Sequence, residues 1–157
     1  MVDTRHADDT TQGSPGTRKP REYRTEDIVV RYDVSRCLHA AECIRSLPSV
    51  FDTTRLPWID PTAADPQDIA EAVRRCPSGA LTYTLTGGEP EAPAHPTRVR
   101  RVAGGPLLMR GHLVITTPHG HVHATRAAMC ACRHSGNQPF CDGSDGCLLS
   151  DSEWKQA

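Results

Sequence analysis

Apolar residues come in short bursts along this chain, and the spacing within each burst limits what it can form. Residues 28–33 are a β-branched run, which predicts a strand leading into Cys37. Residues 47–52 read as a turn and a second extended piece, with Trp58-Ile59-Asp60 as its hairpin partner. A helix start follows: Asp65 as N-cap, Pro66 at the first helical position and Asp68 in the first turn. Ile69, Ala72 and Val73 recur at helical spacing and Cys76 falls on the same face, so the helix is expected to aim Cys76 inward, toward Cys37 and Cys43. Pro77 and Gly79 end it, and residues 80–85 return as a strand. Further on, residues 107–117 and 121–128 predict two strands joined by Pro118-His119-Gly120.

The polar stretches between these bursts divide the chain. Residues 1–21 are mixed in charge and rich in Gly, Pro and Thr; they bury too little to offset their ordering entropy and are expected to be a disordered arm. Residues 22–86 form a first domain. Residues 87–98, with three prolines and no apolar periodicity, read as a linker. Residues 99–150 form a second domain, and residues 151–157 a polar tail.

Composition narrows the class. With 37% hydrophobic and 4% aromatic residues, one large core is not expected, and small cores usually need an additional tie such as a disulfide or a metal. Seven cysteines can supply it. No apolar run precedes a cleavage site, so the cysteines read as metal ligands or redox groups rather than a disulfide framework, and the cytoplasm is the expected location. No run approaches the roughly 20 apolar residues that span a bilayer. A formal net charge of −1 gives no argument for nucleic acid. Neither membrane nor nucleic acid is expected as a partner.

Cys37, Cys43 and Cys76-Pro77 make a C-x5-C pair and a remote C-P. A loop that wraps a cubane must present several thiolates within a few residues, and a remote cysteine closes the chain over the other side. The pattern resembles a bacterial-type ferredoxin half-site whose middle cysteine is replaced by Ala40. From about Glu26 to Leu85 the chain is similar to the divergent single-cluster ferredoxin-like domains, with Tyr32-Asp33 before the first cysteine and Ser78-Gly79-Ala80-Leu81 after Cys76-Pro77. The resemblance implies a cluster on Cys37, Cys43 and Cys76, either [3Fe–4S] or, with His39 or solvent as a further ligand, [4Fe–4S].

Cys130, Cys132 and Cys141 lie within twelve residues broken by Gly, Asn and Pro, a poor core and a good loop for a soft metal. The stretch 130–145 resembles the CDGSH iron–sulfur family, C-x-C-x2-S/T-x3-P-x-C-D-G-S/A/T-H, and departs from it at the last position, where Asp145 replaces the histidine ligand. The resemblance implies a [2Fe–2S] cluster with Cys130 and Cys132 on one iron and Cys141 with Asp145 on the other. Cys147 and His134 are alternative ligands for the place of Asp145. Asp142 is a plausible N-cap for a turn carrying residues 141 and 145.

Several other features are readable. His119, His121 and His123 fit a polar hairpin tip better than a metal site. Phe51 and Trp58 are expected in the first core, and Phe140 over the second cluster. Arg36, Arg45, Arg74 and Arg75 flank the first cysteines and read as a solvated basic surface or a docking patch for an acidic partner. No nucleophile–base constellation or phosphate loop stands out, so an enzyme is not expected. The reading is an α+β protein, a small ferredoxin-like domain followed by a small β-rich CDGSH-type domain. Its expected role is one-electron transfer with redox partner proteins; a redox or iron sensor, or a cluster carrier with labile clusters, is the alternative.

Overall fold

A computed structural model describes residues 19–144. Asp145, Cys147, the tail and most of the expected N-terminal arm lie outside the described residues. Arg21, the last residue of the expected arm, opens a strand.

Strands β1 (Arg21–Arg24), β2 (Ile28–Tyr32) and β3 (Leu81–Leu85) form an antiparallel sheet in that order. Val30 pairs with Tyr83 and Ile28 with Leu85. Alternation puts Ile28, Val30, Leu81 and Tyr83 on the buried face. Helix α2 (Pro66–Arg74) covers them with Ile69, Ala70, Ala72 and Val73. Its start is the one the sequence marks: the Asp65 carboxylate accepts the Gln67 N–H at 2.9 Å. Phe51 bridges to Ile59 as an isolated antiparallel pair and is fully buried. The Trp58 ring lies 6.1 Å from that of Phe51. Helix α1 (Glu42–Ser46), one turn long and carrying Cys43, was not foreseen.

The second sheet holds β4 (Arg98–Arg101), β5 (Leu107–Thr117) and β6 (Gly120–Met129), again in sequence order and antiparallel. The β5–β6 register slips between Arg110 and Leu113. Gly111 sits at the slip with φ +149°, and a Cβ there would lie 2.3 Å from Thr97 Oγ1, so the backbone approach requires glycine. The architecture is thus mostly β, two small three-stranded sheets with few and short helices. Among the described residues no helix is long and apolar enough to cross a membrane.

Arg126 is a principal tie between the sheets. Arg126 on β6 is 2% exposed, and each of its five N–H donors has a partner. Nη1 donates to the carbonyls of Val73 and Cys76, both at 2.7 Å. Nη2 donates to Leu81 O at 3.1 Å and to Glu91 Oε2 at 2.8 Å, and Nε to Glu91 Oε1 at 2.9 Å. Glu91 belongs to the segment read as a linker, which is therefore strapped to the second sheet. Arg36 adds a reciprocal tie, donating to Ser78 O and to Arg126 O. Gly79 (φ +67°) permits this approach: a Cβ there would stand 2.4 Å from Arg126 O.

Candidate iron–sulfur sites

The first three cysteines converge from three separate elements. Cys37 follows the 3-10 turn Val34–Arg36, Cys43 lies on α1, and Cys76 comes just after α2, its N–H bonded to Val73 O. All three line one small cavity of about 30 Å³ with Tyr32 and Trp58. Cys37, Cys43 and His39 also line an adjoining cleft of about 390 Å³ that opens toward Arg55 and Leu56. The Tyr32 ring stands edge-on to Trp58, centroids 4.9 Å apart. Burial drives the Tyr32 hydroxyl pKa well up, and a hydrogen bond to Cys37 with the nearby charges of Cys37, Cys43 and Cys76 adds to the shift. Burial likewise pushes the Cys43 thiol up to about 12, assisted by Cys76 and Cys37. A buried thiol held protonated beside two further cysteines gives up its proton when a cation arrives to compensate the charge.

Between Cys37 and Cys43, two non-glycine residues hold left-handed backbone, His39 at φ +55° and Ala41 at φ +59°. Each such residue costs roughly 1–2 kcal/mol. Left-handed residues placed in this way turn successive N–H groups toward a common concave side, the backbone form found at anion and iron–sulfur sites. The donor chemistry, the convergence and the loop conformation fit a cluster on Cys37, Cys43 and Cys76. His39, exposed at the cleft, stands beside two of the three.

The second set is built on the end of β6. Cys141 N–H bonds to Ala128 O and Cys130 N–H to Pro139 O, with Met129 bridging to Phe140. The returning segment is thereby zipped antiparallel to the strand end, which brings Cys141 back beside the loop's start. Cys130 and Cys132 Sγ are 3.7 Å apart, and two thiolates about 2.3 Å from one tetrahedral metal stand about 3.8 Å apart. The pair is therefore spaced to share one metal atom. Donors already face the sulfurs: Arg133 N–H and Gln138 Nε2 reach Cys130 Sγ at 3.2 and 3.3 Å, and His134 N–H reaches Cys132 Sγ at 3.4 Å. Burial alone would raise the Cys130 pKa, but hydrogen bonds from Ser135, Cys132 and Arg133 outweigh it and hold the thiol below its ordinary value. A Cys130 thiol that ionises more readily than usual favours binding a metal there.

The Asp142 carboxylate accepts Gly136 N–H at 2.8 Å and, as a cap would, Ser144 N–H at 3.0 Å, pinning the loop across its base; the turn expected after it continues outside the described residues. Asp145 and Cys147 lie outside the described residues. His134 is exposed and joins the site through its backbone. Among the described residues no three His, Cys, Asp or Glu converge tightly enough to hold a single metal ion.

Two expectations about surroundings change. Phe140 packs with Leu113, Ile115 and Ala127 under the Arg36 guanidinium, 4.4 Å from its ring centre, rather than over the second site. Of the four arginines, Arg36 leaves the expected surface, while Arg45, Arg74 and Arg75 are exposed. Arg36 is committed to the domain junction, Arg45 binds Ala40 O and Glu42, Arg74 binds Tyr83 and Arg75 binds Glu71. Sequence reasoning missed Arg126 and Glu91. A signal existed, since Arg126 falls in strand alternation with Val122, Ala124 and Ala128, and a charge in phase with apolar positions implies a buried partner.

Residues 23–86 match the family model described as a divergent 4Fe-4S mono-cluster, and residues 104–144 match that of the iron-binding zinc finger of CDGSH type. No curated protein and no solved structure was found to match the chain. With both cysteine sets inside the matched segments, the chain joins, in this order, a divergent 4Fe-4S mono-cluster domain and a CDGSH-type iron-binding domain.

Proposed function

We propose that the protein is a one-electron carrier with two iron–sulfur sites. Cys37, Cys43 and Cys76 hold a [3Fe–4S] or, with His39 or solvent, a [4Fe–4S] cluster. Cys130, Cys132 and Cys141, with Asp145, hold a [2Fe–2S] cluster. The observation that supports this best is the spacing and hydrogen bonding of Cys130 and Cys132, which suit two thiolates on one iron. The clusters supply the redox chemistry. The chain fixes the thiolates, shields them with Tyr32 and Trp58, and sets their potentials through N–H donors. Its partners in this reading are redox proteins, and no substrate chemistry is assigned to it.

Protein purified without oxygen should show visible absorption and contain iron and acid-labile sulfide near five or six irons per chain, the sum for three- or four-iron and two-iron clusters. Reversible reduction and reoxidation with the clusters retained supports electron transfer. Transfer of the clusters to an apo-protein without stable redox cycling would favour a sensor or carrier instead. A colourless protein with stoichiometric zinc refutes the proposal. Because a carboxylate does not titrate near neutrality as histidine does, the potential of the second site should lack a full one-proton slope between pH 6 and 8. Finding that slope overturns the role given to Asp145.

A further inference from the structure

The two sites meet. Leu38, the residue after Cys37, is buried in the second domain's apolar cluster with Val102, Leu108, Ala128 and Cys141. Ala40 packs against the same cluster from the first site, and Cys132 from the second. Gly143 lies so close to Leu38 that a Cβ on it would touch Leu38 Cδ2 at 3.9 Å and Leu38 Cα at 4.0 Å. One peptide step, that contact and two residues of chain place the Cα atoms of Cys37 and Cys141 no more than about 17 Å apart.

The junction is fixed rather than a loose apposition. Arg126, four residues before Cys130, grips the carbonyl of Cys76 itself. Asn137, inside the second loop, donates to Ser35 O at 3.0 Å, two residues before Cys37. Each cysteine set is thus tied by a short hydrogen-bonded path to the other domain.

We propose that the apolar cluster shared by Leu38 and Cys141 carries one electron between the two sites within a single chain, so that the protein works as a two-centre relay and not as two independent carriers. This rests on the two-cluster reading above. In the step, the site that receives an electron from an external one-electron donor is reoxidised and the other is reduced by that same electron. No bond forms or breaks and no proton moves. Apolar packing suits this, since it excludes water from the path and fixes the spacing.

The iron-loaded full-length protein is titrated with dithionite and followed by electron paramagnetic resonance at one and two electrons per chain. The expected result is loss of additivity: the signal of the site reduced first broadens and relaxes faster once the second is reduced. In a second measurement a photoreductant injects one electron, and its redistribution between the sites is timed. That rate should be unchanged on tenfold dilution of the protein. Arg126→Ala, which releases Cys76 from β6, should restore additive spectra while both clusters stay bound. The wild-type measurements stand alone if that variant fails to fold. Additive spectra in the doubly reduced wild type, or a redistribution rate that falls in proportion to concentration, overturn the relay and leave the two-cluster reading intact. Iron and sulfide for fewer than two clusters would overturn both.

Discussion

Replacing Arg126 by alanine tests the physical basis of the two-domain arrangement. The guanidinium is almost fully buried and its carboxylate partner Glu91 nearly so, with 1% and 13% of their side chains exposed. Breaking a buried pair from one side leaves the other charge uncompensated and costs about 3–5 kcal/mol. The carbonyls of Val73, Cys76 and Leu81 also lose a donor, and a buried acceptor left unmade costs about 1–3 kcal/mol. These terms overlap, and the expected loss is about 4–6 kcal/mol, a large part of the 5–15 kcal/mol typical of a folded protein. At about 2–4 °C per kcal/mol for a chain of this length, the melting point should fall by about 8–24 °C. A double-mutant cycle with Glu91→Ala, read by denaturant unfolding, should give a coupling of about 1.5–3 kcal/mol. Arg126→Lys should fall between wild type and alanine, because one ammonium cannot serve three carbonyls and a bidentate carboxylate. A loss under about 1 kcal/mol for Arg126→Ala, or additivity within about 0.5 kcal/mol in the cycle, would refute the assignment of Arg126 as the clasp between the domains.

Three further outcomes follow from named contacts. Gly79→Ala must hold left-handed backbone and push against Arg126 O at 2.4 Å; it should cost about 2–4 kcal/mol in thermal unfolding, and a neutral effect would show that the junction yields easily. The apo-protein should lose stability as pH rises through the ordinary thiol range toward 12. The Cys43 pKa is raised by burial and by Cys76, so between the unfolded and folded values the unfolded chain binds fewer protons. Cys43→Ser should flatten the alkaline limb, and an unchanged slope would contradict the assigned burial. Gln138→Leu removes a donor from Cys130 Sγ and should lower the reduction potential of the second site by tens of millivolts at unchanged iron content; voltammetry showing no change or a rise would remove Gln138 from the tuning of that site.

How much of this was legible in advance depended on whether the cause was local. Asp65-Pro66 marked its helix because capping is settled within four residues. The alternation of Ile28, Val30, Leu81 and Tyr83 gave two strands of the first sheet, and residues 107–117 gave β5 to the residue. The short strands β1 and β4 and the one-turn helix α1 carried no such period; the sheet edge and the loop around Cys43 hold them in place. The six cysteines could be named from spacing and from the resemblance, because a cluster loop must place its thiolates close together in sequence.

What the chain by itself determined, then, was the cysteine-bearing loops, the order of the two domains and the elements whose cause lies within a turn or a pleat. Only the tertiary structure decided that a stretch with three prolines is strapped by Glu91 to Arg126, that Arg36 is an internal tie rather than part of a surface patch, and that Leu38 leaves its own domain to pack beside Cys141. The physical reason is common to all three. A charged or apolar side chain declares a need for a partner, but the partner stands 35 to 90 residues away in the hydrogen bonds of Arg126 and Arg36, and no local periodicity records where the chain will return.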